Sequence, residues 1–400
     1  MKIGILRETK TPPDRRVAFT PRQCRQIKAT YPDIALVVQN SDFRSYSNQE
    51  YEREGIELQE NIEDCDILFG IKEVNIPEII ANKTYLFFSH TAKEQTYNQK
   101  LLKALSKNKV TLIDYEYFTQ KNKSRVVAFG RWAGIVGAYN GLKAYGERTK
   151  AFVLPPAHQL KGLNEMKEKM KSLDIKKISI VLTGGGRVAH GAVEILKSAG
   201  LHEVSTTEYI EGKSNDAIYC RLDPWHYTRH IHKQNFEFSH FMEHPGEYEN
   251  TFLPYASQSD MYIACHFWDP NAPQILSRED LLKLQEKIKV IADISCDING
   301  PIASTIRAST IERPVYGYNP VTGKESINPF SEDVITIMAV DNLPGELPRD
   351  ASADFGAGLI DYVIPSMLGE DKDGIIERAT ILNNGKLSEN FNYLKSYLES

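Results

Sequence analysis

The chain has 400 residues, of which 41% are hydrophobic and 25% are charged. This balance excludes a disordered chain and predicts a folded protein of roughly two to three domain-sized units. The 48 basic and 53 acidic residues give a formal net charge of -5, which argues against the clustered basic surface of a nucleic-acid-binding protein.

The N-terminal residues and the cysteines bear on the compartment. The apolar run at residues 3–6 is too short for the core of a secretory signal peptide, and no run approaches the roughly 18 residues that a membrane helix needs. The 5 cysteines are far apart and include no Cys-x-x-Cys pair, so neither a disulfide framework nor a structural zinc site is expected. These observations predict a cytoplasmic protein without a membrane segment.

Apolar runs of strand length alternate with polar segments of helix length over the first ~130 residues. Thr20 followed by Pro21 is typical of a helix N-cap with proline at the first helical position. Strands that alternate with helices predict parallel β-α-β units, and hence an open α/β domain. The strand candidates are residues 3–6, 35–38, 65–70, 84–88 and 110–113.

A second α/β unit is predicted to follow. Residues 131–150 carry apolar side chains at three- and four-residue spacing, which predicts a helix that links the two domains. The largely apolar run at 177–182 has the composition of a central parallel strand. Further strands are predicted at 289–293 and 335–340, and a helical segment from about 350 to the C-terminus.

A glycine-rich turn is the most specific local motif. Gly184, Gly186 and Ala189 match the pattern G-x-G-x-x-A, after a predicted strand and before a predicted helix. In that context the glycines let the backbone approach a pyrophosphate, which is held at the helix N-terminus. A glycine-rich turn without a ligand is the structural alternative. The predicted cofactor-binding residues are Gly184, Gly185, Gly186, Arg187, Val188 and Ala189.

A dinucleotide site of this kind also needs an acid for the ribose hydroxyls, about 20 residues further on. Glu208, at the end of a strand predicted over 203–208, is the candidate. Its charge would disfavour the 2′-phosphate of NADP, so NAD is the predicted cofactor and NADP the alternative.

Ionisable residues of the first domain follow several of its predicted strands. Open α/β sheets bind ligands at the carboxyl ends of their strands, so these side chains are predicted to converge. Each of them alone would be an ordinary surface residue, but together they can shift pKa values toward neutrality and supply an acid and a base. They are Arg16, Lys72, Glu73, His90, Lys93, Glu116 and Arg125.

Five of the 10 histidines lie between residues 226 and 244. His226 and His230 are four residues apart, so a helix would place both on one face. A zinc site also needs a third ligand and usually an activating carboxylate, and the spacing supplies neither. No metal site is predicted, and the segment is interpreted as a polar excursion of the second domain.

Several blocks of the sequence resemble the L-lysine-forming saccharopine dehydrogenases, and most nearly the lysine–ketoglutarate reductase domain of the bifunctional lysine-degrading enzymes. The opening blocks are shared more loosely with alanine dehydrogenase and the transhydrogenase subunit. The resemblance covers nearly the whole chain and is densest over 65–135. Its blocks are residues 6–10, 16–21, 70–77, 82–91, 112–116, 125–130, 292–297 and 340–349.

The resemblance implies an α/β fold of two Rossmann-like domains with parallel sheets and an active site in the interdomain cleft. Residues 1–135 with about 330–400 would form the substrate domain, and about 136–329 the dinucleotide-binding domain. It also implies the reaction, in which saccharopine, NAD(P)+ and water are interconverted with lysine, 2-oxoglutarate and NAD(P)H. The expected partners are these small molecules, and the oligomeric state is left open.

Site roles are implied by the same motifs. Lys72 and His90 match the family's acid–base pair, and Glu73 and Glu116 match neighbouring glutamates that would tune their pKa values. The three carboxylates of saccharopine would be held by basic residues, since arginine suits bidentate carboxylate binding. These substrate-binding residues are Arg16, Lys93 and Arg125, with Asp341 matching the aspartate near the nicotinamide and the substrate amine.

Two positions depart from the family pattern. Val188 stands where the lysine-forming fungal enzymes have cysteine, and Arg131 occupies a position at which members vary. Two alternative functions stay open: another amino-acid dehydrogenase, such as an alanine dehydrogenase, or a nucleotide-binding sensor without turnover. The intact Lys72, Glu73, His90 and Glu116 argue against the sensor.

Overall fold

A computed structural model describes residues 1–11, 14–212 and 214–400. Its contacts divide the chain into two units, residues 1–129 with 348–400, and residues 130–347. Each unit contains an eight-stranded, mostly parallel sheet, which confirms the predicted α/β class. Among the described helices, none combines the length and apolar character that crossing a bilayer requires.

Within the described residues, eighteen strands run in chain order from β1 to β18. They are β1 (Lys2–Ile5), β2 (Ala35–Gln39), β3 (Glu57–Gln59), β4 (Ile67–Lys72), β5 (Thr84–Phe88), β6 (Thr111–Asp114), β7 (Ile178–Thr183), β8 (His202–Glu203), β9 (Ala217–Leu222), β10 (Thr228–His230), β11 (Tyr248–Asn250), β12 (Met261–Ala264), β13 (Val290–Asp293), β14 (Val315–Asn319), β15 (Lys324–Ser326), β16 (Ile335–Met338), β17 (Thr380–Asn383) and β18 (Lys386–Leu387).

The α-helices lie between the strands, with short 3-10 turns in several loops. They are α1 (Pro21–Thr30), α2 (Asn48–Arg53), α3 (Gln99–Lys107), α4 (Gly130–Thr149), α5 (Leu163–Lys171), α6 (Arg187–Ser198), α7 (Thr206–Glu211), α8 (Pro224–Tyr227), α9 (Phe238–Glu243), α10 (Leu253–Ala256), α11 (Arg278–Leu284), α12 (Pro348–Gly358), α13 (Ile364–Leu368), α14 (Ile375–Ala379) and α15 (Lys395–Glu399).

The sheet of the first unit has the order β18-β17-β6-β5-β4-β1-β2-β3. Strands β1 to β6 are parallel, and β17 joins β6 in the antiparallel direction. Helix α1 begins as predicted, because the Thr20 hydroxyl accepts the N–H of Gln23 and Pro21 occupies the first turn. The ring of Phe355 stacks on Phe129, with centroids 4.5 Å apart, so the returning C-terminal segment packs into this unit's core.

The sequence predicts a helical segment from about residue 350 to the C-terminus, but this segment also contains two strands. Strands β17 and β18 form a hairpin whose turn residues, Asn384 and Gly385, both have positive φ (48° and 79°). Asn-Gly is the dipeptide that most favours such a turn, and its twist matches that of the flanking strands. This local signal outweighs the helical pattern around it.

The sheet of the second unit has the order β15-β14-β16-β13-β12-β7-β9-β8, with β7 near its centre. Strand β16 lies between β13 and β14, so residues 330–347 belong to this unit and not to the first, where the sequence analysis placed them. Helix α4 also belongs here from its first residue, because it packs on α6.

Helices α4 and α6 touch backbone to backbone. A Cβ atom built on Gly134 would lie 1.8 Å from the carbonyl oxygen of Val188, and one built on Gly191 would lie 2.0 Å from that of Arg131. Only glycine fits at these two positions. The contact fixes the start of α6, and with it the glycine turn, against α4.

Candidate active-site cluster and nucleotide site

Lys72 ends strand β4, just after an irregularity in that strand. Phe69 pairs with Leu86, whereas Lys72 pairs with Phe88, so β4 has one residue more than β5 over this stretch. Such a bulge redirects the side chains that follow it. Burial lowers the pKa of the Lys72 amine, and the nearby Arg16 lowers it further. A lysine in this environment gives up its proton more readily than one in water.

His90 follows strand β5, which is the neighbour of β4. Its backbone is in the left-handed region (φ 54°), and its ring stacks on Phe88 with centroids 6.3 Å apart. Burial lowers the pKa of His90, and the charge of Lys72 lowers it further. The charges of Lys93 and Glu116 also act on this ring. The predicted convergence of side chains after neighbouring strands is therefore present.

The two glutamates are held by basic side chains. Glu73 forms an ion pair with Lys10, while its Oε2 is buried without a hydrogen-bond partner among the described residues. Glu116 Oε1 lies 3.1 Å from Lys93 Nζ and 2.7 Å from Arg125 Nη2. Burial alone would raise the pKa of Glu116, but these two cations outweigh it, and the pKa lies below its usual range. Glu116 is thus a fixed anion.

This arrangement refines the predicted roles of Lys93 and Arg125. The motifs predict that Lys93 and Arg125 are substrate ligands and that Glu116 separately modulates pKa values. Both cations contact Glu116, although their side chains remain 47% and 48% exposed. Glu116 orients both cations, so a substrate carboxylate would have to share them with it.

Arg16 is buried and engages Asp14. Its Nε and Nη2 donate to the two oxygens of Asp14, at 3.0 and 2.6 Å, and its guanidinium lies 4.1 Å from the ring centroid of Phe129. Burial would raise the pKa of Asp14, but Arg16 outweighs it and holds that pKa well below its usual range. The sequence analysis missed Asp14, because nothing in its position indicates a bidentate partner for Arg16.

Glu8 is a second acid that the sequence analysis missed. Its carboxylate accepts the backbone N–H groups of Ile71 and Lys72, at 2.7 and 2.8 Å. Burial raises the pKa of Glu8 to about 8, and the nearby Asp14 contributes to that rise. Glu8 is separated from Lys72 by 64 positions, so no local pattern could reveal this contact.

The glycine turn after β7 has the geometry of a phosphate cradle. Gly184 has φ 112°, and a Cβ there would lie 2.6 Å from the carbonyl oxygen of Cys265. A Cβ on Gly186 would meet nothing within 4 Å, and Gly186, as the N-cap of α6, offers no side chain to cap the helix. Open space over uncapped N–H groups at a helix N-terminus suits an anion. These residues fit the pyrophosphate of a dinucleotide.

The other predicted residues of the turn divide by exposure. Arg187 is exposed and Val188 partly exposed at the start of α6. Ala189 is fully buried, which fits the role of the small residue that lets helix and strand pack closely.

The prediction that Glu208 ends a strand, and so could bind the ribose, is wrong. It lies in the first turn of α7, where the hydroxyl of Ser205 caps its N–H. Strand β7 lies between β12 and β9, and β9 is the next of these two along the chain. The acid that follows β9 is Asp223. A Cβ on Gly185 would lie 2.2 Å from Asp223 Oδ1, so this carboxylate borders the glycine turn. The short strand β8 and helix α7 lengthen the interval beyond the expected 20 residues.

Asp223 is paired with a neighbouring cation. Arg221 Nη1 lies 2.8 Å from Asp223 Oδ1 and 3.4 Å from the carbonyl oxygen of Gly184. An acid here suits the ribose hydroxyls of NAD, whereas an arginine suits the 2′-phosphate of NADP. Both types of side chain therefore lie beside the same turn.

Asp341, the remaining predicted site residue, lies in the second unit. It is exposed and follows the run that contains β16. Its charge acts on the thiol of Cys296, whose pKa is raised to about 12, chiefly by burial. That thiol donates to the carbonyl oxygen of Ala339 at 3.2 Å.

The His-rich segment brings together a group with metal-ligand spacing, which the sequence analysis did not foresee. His230 Nε2 and His240 Nε2 lie 3.4 and 3.8 Å from Glu247 Oε2. However, His230 Nδ1 accepts the N–H of His232 at 3.1 Å, so neutral His230 carries its proton on Nε2. A metal-binding nitrogen must lack that proton, so this tautomer of His230 presents no metal ligand to Glu247. His226 is apart from this group, at the start of α8.

His266 is buried beside the nucleotide turn. Its Nδ1 lies 2.8 Å from the hydroxyl oxygen of Thr183, its Nε2 has no hydrogen-bond partner among the described residues, and burial lowers its pKa to about 4. A histidine in the unfolded chain titrates near pH 6.5. Between about pH 6.5 and 4, His266 therefore binds a proton in the unfolded state and stays neutral in the folded state. The contribution to stability is complete above this window and is lost as the pH falls through it.

We expect His266→Met to reduce the acid sensitivity of the second unit. Between pH 7 and pH 5 the wild type should lose about 2 kcal/mol of unfolding free energy through this group, and the variant should not. All 3 tryptophans lie in residues 130–347, so their fluorescence in urea titrations reports this unit alone. The exposed His202→Asn serves as the control and should behave as the wild type. Equal pH dependence in H266M and wild type would contradict the assignment.

Several known proteins are similar to this chain. The family model described as alanine dehydrogenase/PNT, N-terminal domain, matches residues 4–136. The alpha-aminoadipic semialdehyde synthase of Arabidopsis thaliana is 30% identical over 440 residues, which cover 98% of this chain and 41% of the relative. The saccharopine dehydrogenase (NAD(+), L-lysine-forming) of Emericella nidulans is 26% identical over 388 residues, which cover 92% of this chain and 91% of the relative.

These relatives confirm the resemblance to saccharopine dehydrogenases that the motifs predicted. The chain spans under half the length of the first relatives it matches, at 41% and 48% of their residues. An L-alanine dehydrogenase structure superimposes with a TM-score of 0.65 at 16% identity, covering 100% of both chains. At that identity the match shows the fold alone.

Proposed function

We propose that this chain is an NAD(P)-dependent oxidoreductase that interconverts saccharopine and water with lysine and 2-oxoglutarate. The observation that carries the proposal is the convergence of Lys72 and His90, both with lowered pKa values, among fixed carboxylates and cations at neighbouring strand ends. The glycine turn in the second unit and the named relatives support it.

The reaction sets two demands on proton transfer. Oxidation of the secondary amine of saccharopine gives an imine once a hydride and a proton have left, and water then adds to give a carbinolamine that collapses to the two products. Nicotinamide supplies the hydride acceptor in this direction. One group must take the amine proton, and a group must take and return protons during the addition of water and the collapse. Lys72 and His90 supply these two groups in the proposal, since both are neutral more readily than usual.

The substrate's carboxylates match the local charges. Lys93 and Arg125 are oriented by Glu116 and remain half exposed, so they can bind an anion from solvent. Arg16 is fixed by Asp14 and contributes charge from a buried position. The proposal assigns the carboxylates of saccharopine or 2-oxoglutarate to these three cations.

The proposal is tested by mixing the protein with saccharopine and NAD+ or NADP+ and following the absorbance of the reduced nicotinamide, and by the reverse assay with lysine and 2-oxoglutarate. Pyruvate with ammonia serves as the alanine dehydrogenase arm. Turnover of saccharopine in either direction supports the proposal. Bound nucleotide without turnover of any of these substrates would favour a sensor and reject the proposal.

For the cofactor we propose NAD, with Asp223 as its ribose ligand. We expect Asp223→Ser to raise the ratio of kcat/KM with NADP(H) to that with NAD(H) by about tenfold or more. The substitution removes a negative charge from the 2′ position and releases Arg221 toward a phosphate. The matched control is Glu208→Ser on exposed α7, which should leave the ratio unchanged. A shift in E208S and none in D223S would restore Glu208 as the ribose ligand.

The compartment stays a prediction. The sequence favours the cytoplasm, whereas the relative from Mus musculus is named as mitochondrial. Fractionation of the source cells with an antibody against this chain would test the predicted location.

A further inference from the structure

The end of strand β4 lacks a backbone partner on one side. Its neighbour β1 pairs with β4 as far as Phe69, whose carbonyl accepts the N–H of Leu6 at 2.8 Å. Beyond that point β1 has ended, and the bulge in β4 has shifted its register with β5. The N–H groups of Ile71 and Lys72 therefore need acceptors from elsewhere, because an unpaired peptide N–H away from water is costly.

Glu8 supplies both acceptors. Its Oε1 accepts the N–H of Ile71 at 2.7 Å and its Oε2 that of Lys72 at 2.8 Å. The two carboxylate oxygens thus take the place of the strand carbonyls that β1 no longer offers. A Cβ on Gly70 would lie 3.5 Å from Glu8 Oε1 and 3.2 Å from Leu6 Cδ1, so glycine leaves the room that the carboxylate occupies.

Glu8 contacts the backbone of Lys72. The charged groups that act most on the amine are Arg16, Asp14, Lys10 and Glu73. Glu8 instead fixes the peptide from which the Lys72 side chain starts, at the residue where the bulge sets its direction. A displacement of a catalytic group by about 1 Å lowers turnover by up to about 10².

We propose that Glu8 is a positioning residue, which holds the bulged end of β4 so that the amine of Lys72 lies within reach of His90 and of the substrate. The effect on turnover rests on the proposed function, whereas the effect on the position of Lys72 does not.

The test compares Glu8→Gln with Glu60→Gln. Glutamine keeps the size of Glu8, and its carbonyl oxygen can accept one of the two backbone N–H groups. Its NH2 group is itself a donor, so the other backbone N–H loses its acceptor. Glu60 pairs with Arg7 on the exposed side of the same unit, which makes E60Q the matched control. We expect E8Q to lower kcat by about ten- to a hundredfold while the KM for 2-oxoglutarate and the Kd for NADH change less than about twofold. E60Q should match the wild type.

A second readout does not depend on activity. Trace labelling of amines with acetic anhydride at fixed pH, followed by peptide mass spectrometry, measures the reactivity of Lys72 against that of exposed Lys100. We expect the ratio to change at least about threefold in E8Q and not in E60Q. Should E8Q fail to fold, Glu8→Asp keeps the carboxyl group, withdraws its oxygens by one methylene and should show the same changes.

The outcomes separate the two proposals. A wild type without saccharopine turnover, together with altered Lys72 labelling in E8Q, rejects the proposed function and supports the positioning role. A wild type with turnover, together with unchanged kcat and labelling in folded E8Q or E8D, overturns the positioning role. A rise in KM at unchanged kcat would also overturn it, because Glu8 would then affect binding alone.

Discussion

Lys72→Met and His90→Gln should each lower kcat by about 10² or more in both directions of the reaction, at saturating nucleotide. Methionine keeps the length of lysine without an amine, and glutamine keeps hydrogen-bonding capacity without a titratable ring. Each variant therefore removes one acid–base group from the cluster and little of its packing. The rates are measured by the absorbance of the reduced nicotinamide under steady-state conditions.

The coupling between the two groups gives this prediction a second readout. The positive charge of Lys72 lowers the pKa of His90. Its removal in K72M should move the titration of His90, seen in the residual activity, to higher pH. Unchanged rates in both variants would contradict the assignment of roles, and an unshifted pH profile in K72M would contradict their proximity. The exposed substitutions Lys100→Met and His202→Gln serve as controls and should leave kcat unchanged.

Gly191→Ala should destabilise the second unit by about 3 kcal/mol. The new Cβ would lie 2.0 Å from the carbonyl oxygen of Arg131 and 3.0 Å from the amide nitrogen of Ile135, and both atoms belong to the backbone of α4. Backbone cannot rotate away as a side chain can, so the helices must separate. The clash exceeds the roughly 1 kcal/mol that alanine gains over glycine inside a helix. Urea titrations followed by tryptophan fluorescence measure the loss.

Gly186→Ala is the matched control for that substitution. The added methyl group would meet nothing within 4 Å, and the φ of Gly186 (-90°) suits alanine. We expect its stability to change by less than about 0.5 kcal/mol, whereas its Kd for NADH should rise because the methyl group enters the space for the pyrophosphate. Equal stability of G191A and wild type would show that α4 and α6 are not in backbone contact.

The sequence predicted those parts of the site that depend on strand order and local turns. Lys72 and His90 converge because neighbouring parallel strands end at one edge of a sheet, which follows from the alternation of strands and helices alone. The glycine turn was recognisable because Gly184 and Gly185 lack room for a Cβ and Gly186 leaves open space for a ligand. The N-cap at Thr20 was predictable because its signal, a threonine followed by proline, is also local.

Glu8, Asp14 and Asp223 could not be predicted in this way. Glu8 acts because a strand ends early and a bulge exposes two N–H groups far along the chain, and no sequence pattern marks that event. Asp223 was missed because an edge strand and a helix separate β7 from its neighbour β9, so a rule based on 20 residues selected Glu208 instead. Spacing rules fail wherever an insertion changes which strand comes next.

The interrupted first unit imposes an order on synthesis. A ribosome synthesises residues 130–347 in full before it makes β17, the partner of β6, or Phe355, which stacks on Phe129. At translation rates of about 5–20 residues per second, the edge of the first sheet waits on the order of tens of seconds for its last strands. The unit that carries Lys72 and His90 is therefore completed last. A messenger truncated before the codon of residue 348 therefore yields a Lys72–His90 unit that lacks Phe355, β17 and β18.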